Sequence, residues 1–187
     1  MYYGTKTILR GLELSDVDDI MENWNDVELR QFLFAAVPHS KEQEIDFIKQ
    51  SWTARAKGIG YVLAITDLDG KFLGICGLES INSIHRSATL GIAIHAKENW
   101  GKGYGTDAMI TLCAFGFQIV NLNRIELDYH DFNIRAEKSY PIVGFKEIGR
   151  RRKAHFVLGQ YHDTVIMDLL KSEFDEKYPS FDFKQKE

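Results

Sequence analysis

Between residues 100 and 106 the chain reads Trp100-Gly101-Lys102-Gly103-Tyr104-Gly105-Thr106. The apolar, β-forming run Ala88 to Ile94 precedes this stretch, and a helical pattern follows it. Glycines at alternate positions let the main chain turn tightly and let a ligand come close to it. A helix that begins there presents N–H groups with no intrahelical acceptor, together with the positive end of its dipole. A strand, a glycine turn and a helix N-terminus in that order make a cradle for a phosphate or pyrophosphate. The fold must therefore place this turn directly behind a strand.

The rest of the chain supplies the setting. Its 187 residues fit one domain, residues 1–187. With 44% hydrophobic and 27% charged residues, the composition is that of a globular protein. Lys and Arg total 23 against 27 Asp and Glu, so the net charge is 23 − 27 = −4. That balance argues against a DNA-binding protein with a basic face and agrees with a cationic or amine substrate. Cys76 and Cys113 sit in apolar runs with no second metal-ligand pair, so they read as reduced core residues, and no metal is expected. The N-terminus has no apolar segment of the secretory kind, and no run reaches the length of a membrane span. The expected location is the cytoplasm.

Thr5 to Glu13 reads as a first strand, followed by a helix with Ser15 as N-cap. Ser40 and Gln43 form a capping-box pattern ahead of a second helix that ends near Gly58. Tyr61–Ile65 and Phe72–Leu78, joined through Asp69-Gly70, read as a β-hairpin, and Ala88–Ile94 as a further strand. Asp107–Val120 is expected to be helical, Arg124–Tyr129 a strand and Asn133–Val143 a short helix. Phe145–Ile148 and Thr164–Leu170 close the pattern as strands, and the charged tail after Ser172 is expected to fray. Three successive strands in the middle imply an antiparallel portion, hence an α+β chain with a mixed sheet.

Two familiar phosphate loops do not fit. A Walker A loop needs Gly-Lys-Ser/Thr, but Lys102 is followed by Gly103. A dinucleotide fingerprint needs a glycine where Thr106 stands, and it follows the first strand of its unit. Leu90-Gly91-Ile92-Ala93-Ile94 with the glycine stretch and Asp107-Ala108 instead strongly resembles motif A of the GNAT acetyltransferases. Asn133-Ile134-Arg135-Ala136, Tyr140 and Gly144-Phe145 resemble motif B. Gly159-Gln160-Tyr161-His162-Asp163 before Val165-Ile166-Met167 looks like the closing hairpin of the RimJ/RimL-type branch. Founding members of that branch acetylate ribosomal-protein N-termini. The resemblance covers about residues 5–172. Trp100 stands where many family members carry Gln or Arg, although this branch often has Trp.

The resemblance implies a GNAT fold, with a mostly antiparallel sheet of about six or seven strands flanked by helices on both faces. It also implies acetyl-CoA as acyl donor and a primary amine as acceptor, on a small molecule, a polyamine or a protein N-terminus. A ribosomal protein is thus among the candidate partners, and a homodimer among the candidate assemblies. The alternative is a non-catalytic CoA-binding sensor or assembly subunit on the same fold.

By the same resemblance, main-chain groups of Ile92 and Ile94 pair with the pantetheine arm, and Gly101, Lys102, Gly103, Tyr104, Gly105 and Thr106 hold the pyrophosphate. Asn133 bonds the cofactor arm or caps its helix. Arg135 reaches the nucleotide end or is a solvated helix residue. Tyr140 protonates the departing thiolate: a thiol of pKa about 8.5 is within reach of a phenol of about 10. Its alternative is a core tyrosine. Family members often carry Glu just before the Leu-Gly pair, but here that residue is Thr89, so Glu79 is the nominated base. His85, His95, His130 and a water chain are the alternatives. Trp24 and Trp52 line the acceptor side or fill the core. Arg150-Arg151-Arg152-Lys153 reads as a solvated hairpin turn, or as a basic flank of the substrate mouth.

Overall fold

The apolar runs of the sequence become strands of one sheet in the computed structural model, which describes residues 1–33 and 37–183. The strands are β1 (Tyr2–Tyr3), β2 (Thr7–Gly11), β3 (Tyr61–Asp67), β4 (Phe72–Asn82), β5 (Ser87–Ile94), β6 (Arg124–His130), β7 (Lys146–Val157) and β8 (Gln160–Leu170). They lie in the order β1-β2-β3-β4-β5-β6-β8-β7. Only β5 and β6 are parallel; every other neighbouring pair is antiparallel. The eighth strand, absent from the sequence reading, is the two-residue β1, which pairs with Ile8 and Leu9.

Six α-helices accompany the sheet among the described residues: α1 (Val17–Trp24), α2 (Val27–Arg30), α3 (Lys41–Ala56), α4 (Tyr104–Ala114), α5 (Ile134–Val143) and α6 (Lys171–Lys177). Strand alternation sends side chains to two cores. Leu78, Leu90 and Ile125 face α4, where they join Met109 and Leu112. Ile75 and Ala93 face the other way, joining Val17 and Ile20 of α1 and Ile48 of α3. Helices therefore cover both faces, and α4 is buried along most of its length.

Local chemistry explains the ends of these elements. Ser40 and Gln43 form the expected capping box on α3. Ser15 does not cap α1; it lies in a 3-10 turn over Leu14–Asp16, and the cap position falls to Asp16. Asp16 is held there by Arg10 and by the Glu13 N–H. The helix expected at Asp107–Val120 starts earlier, at Tyr104, and finishes as a π-turn over Phe115–Ile119. Trp24 is a core residue, whereas Trp52 is partly exposed and donates from Nε1 to the Leu12 carbonyl at 2.8 Å.

The chain after Ser172 does not fray as far as it is described. It forms α6, and Phe174, 1% exposed, packs against Phe117 with ring centroids 5.3 Å apart. Tyr178 donates to the Val143 carbonyl at 3.1 Å, tying this tail to α5. Charge hid an apolar stripe of Phe174, Tyr178 and Phe181, spaced to fall on one side of a helical turn and its exit. Phe174→Ala should lower the unfolding free energy by about 3–5 kcal/mol in a denaturant titration, the range for emptying a buried aromatic site; a loss near zero would show that α6 does not contribute to the core.

Candidate active site

β5 and β6 pair at only three positions: Ser87 with Arg124, Ala88 with Ile125 and Thr89 with Glu126. Yet β5 continues to Ile94 and β6 to His130. Beyond Thr89 the two strands part and leave a wedge. The His95 N–H donates to the Leu73 carbonyl on the β4 side at 2.9 Å. Main-chain groups alternate in direction along a strand, so those of Ile92 and Ile94 point away from β4, into the wedge. The Ile94 carbonyl accepts from Trp100 Nε1 at 2.7 Å, which pins the end of β5 to the glycine loop.

The loop has the backbone that its glycines allow. Gly101 and Gly103 have φ of 73° and 85°, in the left-handed region. Gly103 caps α4 without any side-chain hydrogen bond. The first helical bond runs from the Asp107 N–H to the Gly103 carbonyl at 3.0 Å. The N–H groups of Tyr104, Gly105 and Thr106 therefore come before the helix's own acceptors begin. Lys102 is exposed, and its carbonyl accepts from Lys6 Nζ at 2.9 Å.

Asp107, in the first turn of α4, anchors this loop to the start of β2. One oxygen accepts from the Thr5 N–H at 2.8 Å and the Thr5 hydroxyl at 2.5 Å. The other accepts from the N–H groups of Lys6 at 3.0 Å and Thr7 at 2.9 Å, and from the Thr7 hydroxyl at 2.7 Å. Burial opposes ionisation of Asp107, but the bonds from Thr5, Thr7 and Lys6 outweigh it and hold its pKa below the usual carboxylate value. The sequence reading missed this residue; the only hint was an acidic side chain in the first turn of a helix.

Helix α5 brings motif B to the wedge. The Asn133 side chain accepts from the Ala136 N–H at 3.2 Å, so it caps α5. Its amide nitrogen donates to no acceptor among the described residues and is available to a ligand. The half-buried Tyr140 ring meets Tyr129, on the part of β6 that pairs with β8 but no longer with β5, edge to face at 5.5 Å. Burial, then the charge of Asp128 and the nearby Tyr129, push the Tyr140 phenol above its ordinary pKa, so it stays protonated. Gly144 closes α5 at φ 126°. Arg135 stacks its guanidinium over Trp100 at 3.8 Å and over Phe32 at 4.6 Å, which joins α5 to the loop and to the chain after α2.

The opposite face of the wedge is acidic. Register places Glu79, Thr89, Glu126 and Asp168 in one row across β4, β5, β6 and β8. Their neighbours Leu78, Leu90 and Leu127 are in the core under α4, so this row faces the other side. Glu79 is exposed and forms no ion pair among the described residues. Glu126 and Asp168 share Arg124, at 2.9 Å and 3.6 Å. Asp128, further along β6, pairs with Arg151 at 2.9 Å. Glu126 and Asp128 were legible in the sequence only as the polar half of an alternating strand.

Other candidates are placed elsewhere. His85 is exposed in the turn between β4 and β5. Burial lowers the pKa of His95 to about 3, leaving it neutral. His130 is buried and stacks on His155 at 3.5 Å. Arg150-Arg151-Arg152-Lys153 is not a hairpin turn: it lies within β7, where Glu147 and Asp128 pair with two of its four cations. Both cysteines are buried, with thiol pKa values raised by desolvation. Among the described residues no cluster of His, Cys, Asp and Glu could hold a metal, and no helix is long and apolar enough to cross a membrane.

The wedge, the loop behind it and the tyrosine beside it can be set against known proteins. The family model described as an acetyltransferase (GNAT) domain matches residues 6–146. The chain belongs to the GNAT acetyltransferase family. Acetyltransferases of this family take the acetyl group from acetyl-CoA, and the fold is theirs. The crystal structure of a Vibrio cholerae spermidine N-acetyltransferase with CoA and spermine superposes with a TM-score of 0.82. It is 27% identical, over 90% of this chain and 97% of that one. The Bacillus licheniformis N-acetyltransferase p20, itself uncharacterised, is 27% identical over 92% of this chain and 97% of its own length. A Bacillus subtilis relative named as a candidate ribosomal N-acetyltransferase, YdaF, is 30% identical over 89% of this chain and 92% of its own.

Asp107→Ala should lower stability by roughly 2–4 kcal/mol at neutral pH, because it strands two buried donors of Thr7 and part-buried ones of Thr5 and Lys6. The depressed folded pKa sets the sign of the pH dependence. The Asp107 contribution is complete above the unfolded carboxylate pKa of about 3.9 and is lost as pH falls through the lower folded value. Urea titrations of both proteins should therefore differ at pH 7 and draw together on strong acidification.

Proposed function

We propose that this GNAT enzyme moves an acetyl group from acetyl-CoA to a primary amine by direct attack in a ternary complex. The observation that carries the reading is the wedge: Ile92 and Ile94 turn main-chain groups into it, the glycine loop closes one end and Tyr140 stands against its far wall. The pantetheine arm would pair with Ile92 and Ile94 and with the amide of Asn133. The N–H groups from Gly101 to Thr106 and the charge of Lys102 would hold the pyrophosphate. Arg135 would act on the loop through Trp100 rather than reach out to the nucleotide.

The neutral amine attacks the thioester carbonyl, and main-chain N–H groups of β5 stabilise the oxyanion. The carbon–sulfur bond then breaks, and Tyr140 supplies the proton that the thiolate takes up. The ammonium formed on attack gives its proton to a carboxylate of the acidic row. Glu79 is the first nominee, being unpaired, and Glu126 is the second. Neither cysteine is needed as a nucleophile.

A cationic acceptor such as a polyamine is the substrate class best supported. The acidic row on the open face agrees with it, as does the net charge of −4. The similar Vibrio cholerae enzyme is a spermidine N-acetyltransferase. A protein N-terminus is the second reading, supported by the ribosomal N-acetyltransferase relative and by the resemblance of residues 159–167 to the closing hairpin of the RimJ/RimL-type branch. We assign the chain one working domain.

Thiol release from acetyl-CoA with spermidine, short peptides and aminoglycosides separates these readings; CoA binding with no turnover on any amine would mark a sensor instead. Tyr140→Phe should lower kcat by about 10²-fold while leaving CoA affinity unchanged, and a loss below about threefold would return Tyr140 to a packing role. The substitution Glu79→Gln should remove the acid limb of the kcat/KM–pH profile; if Glu126→Gln does so instead, the base is Glu126.

A further inference from the structure

Lys6 lies just before β2, far in sequence from the glycine loop, yet its side chain ends on that loop. Its main-chain N–H is fixed by Asp107 at 3.0 Å, and its neighbours Thr5 and Thr7 are held by the same carboxylate. From that anchored backbone the side chain reaches the loop, where Nζ donates to the Lys102 carbonyl at 2.9 Å. A Cβ on Gly103 would lie 3.1 Å from Lys6 Nζ, so the ammonium sits against the glycine that caps α4. An ammonium has three N–H donors, and among the described residues only one is used. Asp107 faces the backbone of Lys6, and no carboxylate pairs with its Nζ among the described residues.

A cation against the residue that caps α4, where the helix presents its first free N–H groups, suits an anion. We propose that Lys6 is a ligand of the cofactor pyrophosphate, presented to it by the Asp107 anchor. The proposal rests on the acetyl-CoA reading above. Lys102, on the loop itself, is exposed and carries the charge that the sequence makes obvious. Lys6 supplies a second charge from another element, and no motif announces it.

A charge series tests this by calorimetric titration with CoA, on proteins shown by melting to be folded like the wild type. Lys6→Met should weaken CoA binding by about tenfold, Lys6→Glu by more, and Lys6→Arg by little. The slope of log Kd against log salt should be shallower for Lys6→Met than for the wild type. The substitutions Lys6→Met and Lys6→Glu both remove the bond to Lys102, so equal losses for the two would overturn the proposal and leave Lys6 a structural brace. Unchanged affinity in all three variants would also overturn it. The ratio of CoA to 3′-dephospho-CoA affinity should be the same in wild type and Lys6→Met; a collapse of that ratio would move the contact to the 3′-phosphate and contradict the pyrophosphate assignment. Failure of the wild type to bind CoA would sink the acetyl-CoA reading together with this one, whereas normal wild-type binding with indifferent variants would sink this one alone.

Discussion

A parallel β5–β6 ladder that stops after three pairs leaves main-chain donors and acceptors on both strands with no sheet partner. An open strand edge of this kind, inside the sheet rather than at its rim, is a template for anything that can hydrogen-bond like a strand. The rest of the site depends on that edge. The pleat sends Ile92 and Ile94 side chains into the core under α4, while their main-chain N–H groups point into the wedge; the Ile94 carbonyl already accepts from Trp100. Packing occupies the side chains and leaves main-chain atoms of the same residues open to a partner.

The wedge alone would not position a reaction; three ties hold its surroundings. Asp107 bonds the first turn of α4 to the strand-start segment of Thr5, Lys6 and Thr7. Trp100 bonds the end of β5 to the loop. Arg135, stacked on Trp100, draws in α5 and with it Tyr140. Each tie connects an element of the cofactor side to a different part of the chain, so the loop is built by the whole fold rather than by its own seven residues. The acidic row is made differently: its carboxylates are set only by strand register, on a face that α4 does not cover.

Sequence and structure agree most where chemistry is local. The capping box of Ser40 and Gln43 and the turn at Asp69-Gly70 depend on neighbours a few residues away, and both form. Disagreement arises where distant contacts decide. Tyr2 and Tyr3 become a strand only because β2 is there to pair with them. The tail becomes a helix because Phe174 finds Phe117. The basic run 150–153 reads as a turn from its charge, but it lies within the long strand β7, where β8 pairs Arg150 and Arg151, and Asp128 and Glu147 take up part of that charge. At the site, glycine spacing revealed the loop. The roles of Asp107, Lys6 and Trp100 were hidden because their partners lie elsewhere in the chain or on main-chain atoms.

The central claim is that the cofactor arm completes the sheet in the β5–β6 wedge and the pyrophosphate sits on the glycine loop. Amide hydrogen exchange, read residue by residue with and without CoA, tests it most directly. The account predicts new protection at the N–H groups of Ile92 and Ile94 and of Gly101 through Thr106. Strands β2 and β3 should remain unchanged. CoA binding that left those amides exchanging as before, or that protected a different surface, would contradict it.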